Sequence, residues 1–421
     1  MDVVIIGGGT AGTTTAFYLR KLNKDVNITI IEKSMFTQFS PCSLPYHIND
    51  EISDLFLFKQ NDYESNKINL LLNTEVSSID KIKKKVFTAN SEFNYDKLVL
   101  SVGSTSFIPN GFNGMTLKDP NDIDQIKKRC TKNKKVAIIG GGYIGVELTN
   151  VLNKKGCNVF LYEIQDSILP MLDKDISKIV LEYLETNGIT VNLGSVIKQD
   201  GKKIVDGKSE NEFDEIIISA GFLPNIELAK LLKLKINNGI IVKNDLSVEK
   251  DIYACGDCIE IKDSITGNSS SMFFATHAVK QAEIIAENIL GSKMKFDGVL
   301  NANISDVGMY VGSVGISSKI AESSGIKIIT GKSKGTTKSD HHKCAKDLVV
   351  KIIANEKGRI IGSQIVGFED VAGRIDLMSL AIKNKNTIHD LAELETCYNP
   401  ASSPMYSPIT SAAKMCLKRM R

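Results

Sequence analysis

The feature that most constrains this chain is a pattern that occurs twice. Each copy has an apolar run, three glycines spaced Gly-x-Gly-x-x-Gly, a helical stretch, and a second apolar run ending in a glutamate. In the first copy residues 2–6 (Asp-Val-Val-Ile-Ile) lead into Gly7, Gly9 and Gly12, helical periodicity runs from Thr13 to Leu22, and the run Ile28 to Ile31 ends at Glu32. In the second, residues 135–139 lead into Gly140, Gly142 and Gly145, a helix runs to about Lys155, and the run from Asn158 to Tyr162 ends at Glu163. The physical demands of a dinucleotide explain each part. The first glycine makes the tight turn, the second lets backbone approach a pyrophosphate, and the third lets helix and strand pack closely. The helix N-terminus offers amides and positive dipole to phosphate, and the glutamate can accept from a ribose hydroxyl. Two such units predict an α/β chain with two Rossmann-like domains and two bound dinucleotides.

Other segments fit the same architecture. Residues 86–95 read as small antiparallel strands, and the apolar runs 97–102, 215–220 and 251–255 end at Gly103, Gly221 and Gly256-Asp257. Ligands of parallel sheets lie beyond the carboxyl ends of strands, so these turns mark edges of ligand sites. A helix follows from about Thr276 to Leu290. Glu163 would repel a 2′-phosphate, and Ile164-Gln165 supply no cation to hold one, so NADH is expected rather than NADPH. The net charge of +3 over 421 residues is too small and dispersed for nucleic-acid binding. The run Lys81 to Lys85 reads as a solvated turn. No apolar run reaches membrane-spanning length and Met1 leads directly into a strand, so a cytoplasmic protein is expected, with no membrane association. Its eight cysteines have no disulfide-framework spacing, so any disulfide chemistry should be catalytic.

Cys42 is the candidate for that chemistry. It lies about ten residues beyond Glu32 in Phe39-Ser40-Pro41-Cys42-Ser43-Leu44-Pro45-Tyr46, where the prolines predict a sharp turn and a short helix near Pro45. Helix amides and an adjacent positive site would favour the nucleophilic thiolate; the competing reading is a small buried hydrophobe.

With these residues in view, the chain resembles the flavin-dependent pyridine-nucleotide disulfide oxidoreductases over essentially its full length. The resemblance implies a FAD domain (residues 1–110 and 240–300) interrupted by an NAD(H) domain (111–239), and a C-terminal α+β dimerisation domain (301–421) that makes a homodimer. By the same resemblance, Gly7, Gly9, Gly12, Glu32, Val76, Gly103 and Asp257 would hold FAD. Gly140, Gly142, Gly145, Glu147, Glu163 and Gly221 would hold NADH, with Glu147 near the nicotinamide. No second cysteine follows Cys42 closely, which is similar to the single-cysteine branch of coenzyme A-disulfide reductases, NADH oxidases and peroxidases, and persulfide reductases. That branch commonly has Leu-Pro-Tyr after its cysteine, as in Leu44-Pro45-Tyr46.

Departures from the branch narrow the expectation. Peroxidases and many oxidases carry a histidine inside the first glycine turn, where this chain has Thr10; persulfide reductases often continue into a rhodanese domain, and this sequence stops at Arg421. Tyr398, in Tyr398-Asn399-Pro400, matches the tyrosine that reaches the partner subunit's active site and would donate a proton there. Ser402 stands where coenzyme A reductases often have a second tyrosine, and His341-His342 where a tyrosine pair is common. The expectation is an NADH- and FAD-dependent reductase of a small disulfide such as coenzyme A disulfide through Cys42. NADH oxidase, persulfide reductase, and reductase of a protein electron carrier stay open as alternatives.

Other candidates have simpler readings. Cys255-x-x-Cys258 straddles Asp257 and is explained by that turn, and His341, His342 and Cys344 lack a suitably spaced fourth metal ligand, so no metal is expected. His277 could approach the flavin or simply pack. Arg20, Lys21 and Lys24 either complement a helix dipole or, as in coenzyme A reductases, meet substrate phosphates. Cys130, Cys157, Cys397 and Cys416 read as structural.

Overall fold

The computed structural model describes residues 1–207, 209–270 and 273–420. The chain forms two compact units. The first comprises Met1–Phe107, Lys118–Pro120 and Phe222–Val299, and the second Ile108–Leu117, Asn121–Gly221 and the chain from Leu300 onward.

The first unit is built on a six-stranded sheet in the order Ser247–Glu249, Ile252–Ala254, Lys97–Leu100, Asp2–Ile6, Asn27–Ile31, Ile68–Leu71. All but the Ser247–Glu249 edge run parallel. Ile5 lies between Ile30 and Val99 in register, and the continuous Val/Ile/Leu runs are what a parallel sheet covered on both faces requires. The helices Thr10–Leu22 and Ala275–Ile289 pack against each other. The Thr10–Leu22 helix begins three residues earlier than periodicity predicts. Gly9 is its extended cap (φ −72°, ψ −167°), so Thr10, Ala11 and Gly12 already form the first turn, which Thr13 N closes on the Gly9 carbonyl at 3.0 Å. Strands Val76–Asp80, Lys85–Thr88 and Glu92–Asn94 form the small antiparallel sheet that was expected.

Two expectations change here. Arg20 is turned inward, with its guanidinium donating to the carbonyls of Lys24, Val26 (2.7 Å) and Lys67 (3.0 Å). A buried, triply engaged guanidinium closes off the helix end and is not presented to substrate phosphates. The run Lys81 to Lys85 is also more than a solvated turn: Lys81 pairs with Glu249 at 2.9 Å, and Lys84 with Asp251 at 2.7 Å. Asp251 meets Lys97 as well, at 2.6 Å.

The second unit contains a four-stranded parallel sheet, Thr190–Leu193, Asn158–Glu163, Lys135–Ile139, Glu215–Ile218, and a five-stranded antiparallel sheet, Asn303–Asp306, Tyr310–Gly315, Ile360–Gly367, Asp347–Asn355, Ile328–Thr336. The helix Pro408–Met420 lies directly on the antiparallel sheet: a Cβ on Gly331 would stand 2.1 Å from the Ala412 carbonyl oxygen. Lys351, on a central strand and buried, joins the two parts of this unit by pairing with Asp173 (2.7 Å) and Asp175 (2.6 Å). Asp173 also accepts from the backbone N–H of Ser318 at 2.8 Å. The architecture is thus two Rossmann-like α/β folds with a C-terminal α+β sheet, as the paired pattern and the resemblance imply.

Candidate functional site

The two glycine turns are built alike. Gly7 (φ +102°) and Gly140 (φ +111°) take conformations that a side chain rarely adopts, and a Cβ there would meet the carbonyl oxygens of Ser101 (2.2 Å) and Ser219 (2.4 Å). A Cβ on Gly12 or Gly145 would lie 1.9 Å from the Gly7 or Gly140 oxygen. By contrast, among the described residues nothing beyond the adjoining chain lies within 4 Å of a Cβ built on Gly9 or Gly142. Each middle glycine caps a helix without a side-chain hydrogen bond, so helix amides border open space at both points. That is the cradle a pyrophosphate fits.

Both acids are held in the same way. Glu32 accepts from Gly8 N–H at 2.6 Å and Ser34 N–H at 2.7 Å; Glu163 accepts from Gly141 N–H at 2.6 Å and Gln165 N–H at 2.8 Å. These bonds fix each carboxylate at the end of its strand. Two further residues, missed by reading the sequence, complete the turns. The Ser101 hydroxyl contacts the carbonyls of Ile6 (3.0 Å) and Gly7 (2.9 Å), and the Ser219 hydroxyl those of Ile139 (3.1 Å) and Gly140 (3.0 Å). The signal was present as Ser-x-Gly in both Ser101-Val102-Gly103 and Ser219-Ala220-Gly221.

Around the first turn, Gly103 (φ +65°) accepts from Asn225 N–H at 2.9 Å, and Val76 is buried at the start of its strand. Asp257 sits in a 3-10 turn, Gly256–Cys258, where Gly256 N–H donates to the Gln281 side chain at 2.8 Å. Asp257, Phe274, His277 and Gln281 line one small concavity. The Asp257 carboxylate accepts from the Ser104 hydroxyl at 2.8 Å.

Cys42 lies in the middle of a 3-10 turn, Pro41–Ser43, that runs into a one-turn α-helix, Leu44–His47. Leu44 and Pro45 are buried and anchor the turn, Ser40 N–H donates to the Leu55 carbonyl (2.9 Å), and Ser43 donates to the Ser40 hydroxyl (2.8 Å). The thiol itself is exposed, so the buried-hydrophobe reading does not hold. Lys118, which sequence reasoning also missed, belongs to the same unit. Its ammonium donates to the Ser104 hydroxyl at 2.9 Å, stands 3.8 Å from the Asp257 carboxylate, and lies 4.4 Å from the centre of the Phe222 ring. Burial pulls this ammonium below its ordinary pKa, and the charges of Asp257 and Cys42 act against that pull.

In the second unit, Glu147 accepts from the Ser305 hydroxyl at 2.7 Å, and Gly221 (φ +109°) turns the chain after its strand with open space before it. Burial pushes the Tyr143 phenol, inside the second glycine turn, up to about 12. Tyr398 is 44% exposed. Its neighbour Pro400 accepts from Ser339 N–H at 3.2 Å, which ties the Tyr398 segment to the loop carrying His341 and His342. His341 contacts the Ser339 hydroxyl, and His342 accepts from Cys344 N–H at 3.2 Å. Among the described residues no group of three or more His, Cys, Asp and Glu is placed to hold a metal ion.

Cys255 and Cys258 are fully buried. Burial drives both thiols up, Cys258 to about 12, and Cys258 donates to the Cys255 carbonyl at 3.2 Å. Cys130, Cys157 and Cys416 are buried as expected, whereas Cys397 is exposed beside Tyr398.

Comparison with known proteins agrees with this geometry. Residues 1–282 match the family described as pyridine nucleotide-disulphide oxidoreductase, and residues 307–407 match that family's dimerisation domain. An NADH oxidase from Methanocaldococcus jannaschii is 37% identical over all of this chain and 99% of its own length. A CoA-dependent NAD(P)H sulfur oxidoreductase from Pyrococcus abyssi is 29% identical over 98% of this chain and 97% of its own. The solved NAD-dependent persulfide reductase from A. fulgidus superimposes with a TM-score of 0.95 at 29% identity, covering all of this chain and 83% of that one. Two duplicated nucleotide turns, a C-terminal antiparallel sheet and a full-length match together place the chain in the pyridine nucleotide-disulphide oxidoreductases.

Proposed function

We propose that this protein is an NADH-dependent reductase of a small disulfide, with coenzyme A disulfide as the leading substrate, and that Cys42 is its redox thiol. The observation that carries this reading is the exposed Cys42 on a proline-braced turn in the unit that holds the first nucleotide cradle. The cofactors are FAD and NADH. Gly7, Gly9, Gly12, Glu32, Val76, Gly103 and Asp257 would hold FAD, whose bound flavin would accept hydride from the nicotinamide and return an electron pair to sulfur. Gly140, Gly142, Gly145, Glu147, Glu163 and Gly221 would hold NADH. The residues fit: the space before Gly9 and Gly142 is a cradle that a side chain would fill, and each acid is aimed by two backbone N–H groups.

In this reading the Cys42 thiolate attacks one sulfur of RSSR, forms a Cys42–S–S–R bond, and releases RS⁻, which is protonated to RSH. The electron pair and proton of NADH, with one further proton, then cleave the mixed disulfide to Cys42–SH and a second RSH, so that NADH, H⁺ and RSSR give NAD⁺ and two RSH. Tyr398, brought by a second copy in a homodimer, is assigned the proton for the leaving thiolate. The domain boundaries that accompany this reading are 1–110 with 240–300 for FAD, 111–239 for NADH and 301–421 for dimerisation. Unbridged cysteines, with no disulfide among the described residues, support a cytoplasmic setting. No described helix is long and apolar enough to cross a membrane.

The test is anaerobic thiol release from coenzyme A disulfide with NADH, in wild type and Cys42→Ser. Two thiols per NADH in the wild type, falling by about three orders of magnitude in the variant, would support the reading. Absence of thiol in the wild type would sink it. The M. jannaschii relative named NADH oxidase favours one second reading, in which oxygen takes the electrons and Cys42 cycles through a sulfenic acid. Oxygen consumption that requires Cys42, without thiol release, would select it.

A further inference from the structure

A buried polar network whose members are all satisfied rigidifies the segments it joins. Tyr63 sits at the centre of one. Its side chain, in the helix Gln60–Ser65, is fully buried against the rings of Phe17 (5.2 Å between centres) and Phe58 (6.2 Å), and burial raises its phenol pKa. The hydroxyl reaches two other segments: Thr13 Oγ1 lies 3.1 Å away, and Gln38 N–H donates to it at 3.3 Å.

The protons of this network can be placed one by one. Thr13 gives its single hydroxyl proton to the Gly8 carbonyl at 2.9 Å, so the Tyr63 hydroxyl is the donor to Thr13 Oγ1. The Tyr63 oxygen is then left to accept, as Gln38 N–H requires. A directed chain of hydrogen bonds therefore runs from the Gln38 amide through Tyr63 and Thr13 to Gly8, inside the first glycine turn. Glu32 holds the same glycine from its other side, accepting from Gly8 N–H at 2.6 Å.

At its far end the chain holds the segment that carries Cys42. The Gln38 carbonyl accepts from Leu57 N–H at 3.0 Å, Ser40 N–H donates to the Leu55 carbonyl at 2.9 Å, and Phe39 bridges to Phe56. Residues 38–40 thus form a short antiparallel ribbon with 55–57, and the Cys42 turn opens directly after it at Pro41. The second glycine turn is closed differently. Val146 follows its last glycine where Thr13 follows the first, and the Gly141 carbonyl accepts from Leu169 N–H at 2.7 Å. A turn of this design therefore folds without a hydroxyl relay, and the relay belongs to the unit that carries Cys42.

We propose that Tyr63 is a positioning residue whose hydroxyl, through Thr13 and Gln38, fixes the Cys42 segment relative to the first glycine turn and so keeps the redox sulfur in register with the dinucleotide cradled there. The proposal rests on the reading of Cys42 as the redox thiol, but its first measurement does not use turnover.

Tyr63→Phe keeps the ring and removes only the oxygen. Holoenzyme of wild type, Tyr63→Phe and Thr13→Ser is followed by hydrogen exchange, read amide by amide in a mass spectrometer. Exchange at the Gln38 amide should quicken about tenfold in Tyr63→Phe, the loss of one buried hydrogen bond. In Thr13→Ser, which keeps the hydroxyl, it should stay within about twofold of wild type. Anaerobic stopped-flow then separates positioning from general damage. Bleaching of the flavin by NADH should stay within about twofold in Tyr63→Phe, while reoxidation of the reduced enzyme by coenzyme A disulfide slows about tenfold. Unchanged exchange at Gln38 in Tyr63→Phe overturns the proposal, and so does quickened exchange with normal reoxidation. Equal slowing of both half-reactions assigns the effect to lost packing and overturns it too. Should Tyr63→Phe fail to fold, Thr13→Val breaks the relay at its other joint and carries the same comparison. Unchanged thiol release in Cys42→Ser would sink the functional reading, and the exchange measurement would still decide whether Tyr63 holds the segment.

Discussion

At the scale of single residues, burial divides the eight cysteines into two chemical classes. The thiols of Cys130, Cys258 and Cys416 are pushed up to about 12, 12 and 11 by burial, with Cys157 and Cys255 also raised. A thiol pKa above the ambient pH means the neutral, unreactive form. Native enzyme treated with iodoacetamide at pH 8 should therefore be modified at Cys42, Cys344 and Cys397 alone, and mass spectrometry that finds Cys255 or Cys258 labelled would contradict the assignment of that pair as structural. Glu163 gives a second residue-level expectation. Its two oxygens already accept from Gly141 and Gln165, and its charge would face a 2′-phosphate. Glu163→Gln should lower kcat/KM for NADH about tenfold while narrowing the gap to NADPH. Steady-state kinetics with both nucleotides read it, and an unchanged preference would remove Glu163 from cofactor choice. Cys42 and both glutamates were legible in the sequence because motif spacing fixes them. Lys118, Ser104 and Phe222 were not, because segments more than a hundred residues apart meet only in the folded unit.

At the scale of elements, each glycine turn separates into positions that hold the fold and a position that faces the ligand. Gly12→Ala would drive a Cβ to 1.9 Å from the Gly7 oxygen and should disrupt the protein with or without FAD. Gly9→Ala meets open space, so the variant should keep the thermal stability of the flavin-free protein yet lose bound flavin on gel filtration. Gly9→Ala that retains flavin stoichiometrically would show that the pyrophosphate does not lie there. The antiparallel edge makes a different prediction. Lys84 and Lys97 hold the Asp251 carboxyl down to about 2. A carboxylate with a folded pKa below its unfolded value near 3.9 contributes stability above that value, which is lost as pH falls toward the folded pKa. Asp251→Asn should thus cost about 1–2 kcal/mol in urea melts at pH 7, with the difference vanishing near pH 2. Asn tolerates the positive φ of 64° at this site, so the substitution isolates charge. Element types and order could be read from apolar runs and turn glycines. The helix start at Thr10 could not, because an extended glycine cap leaves no mark on periodicity.

At the scale of the whole molecule, the buried Lys351 ammonium is among the contacts that fasten the second unit internally. Lys351→Met would leave Asp173, 7% exposed, without its cation, and a buried pair broken on one side typically costs about 3–5 kcal/mol. Melting of the variant should begin several degrees early, and a melting curve superimposable on wild type would show that Asp173 and Asp175 are satisfied without it. The duplicated pattern told the architecture in advance, whereas this lysine, in a strand with no motif, could be found only from its partners. The two nucleotide cradles, finally, are near replicas: same glycine roles, same serine brace, same doubly anchored glutamate. A prosthetic group that stays for the life of the enzyme and a co-substrate that leaves every cycle would then rest on interchangeable parts. Residence time cannot be encoded in the turns themselves; it must be set by whatever closes over the rest of each nucleotide, and exchanging one turn for the other should leave the lifetimes of both complexes nearly where they began.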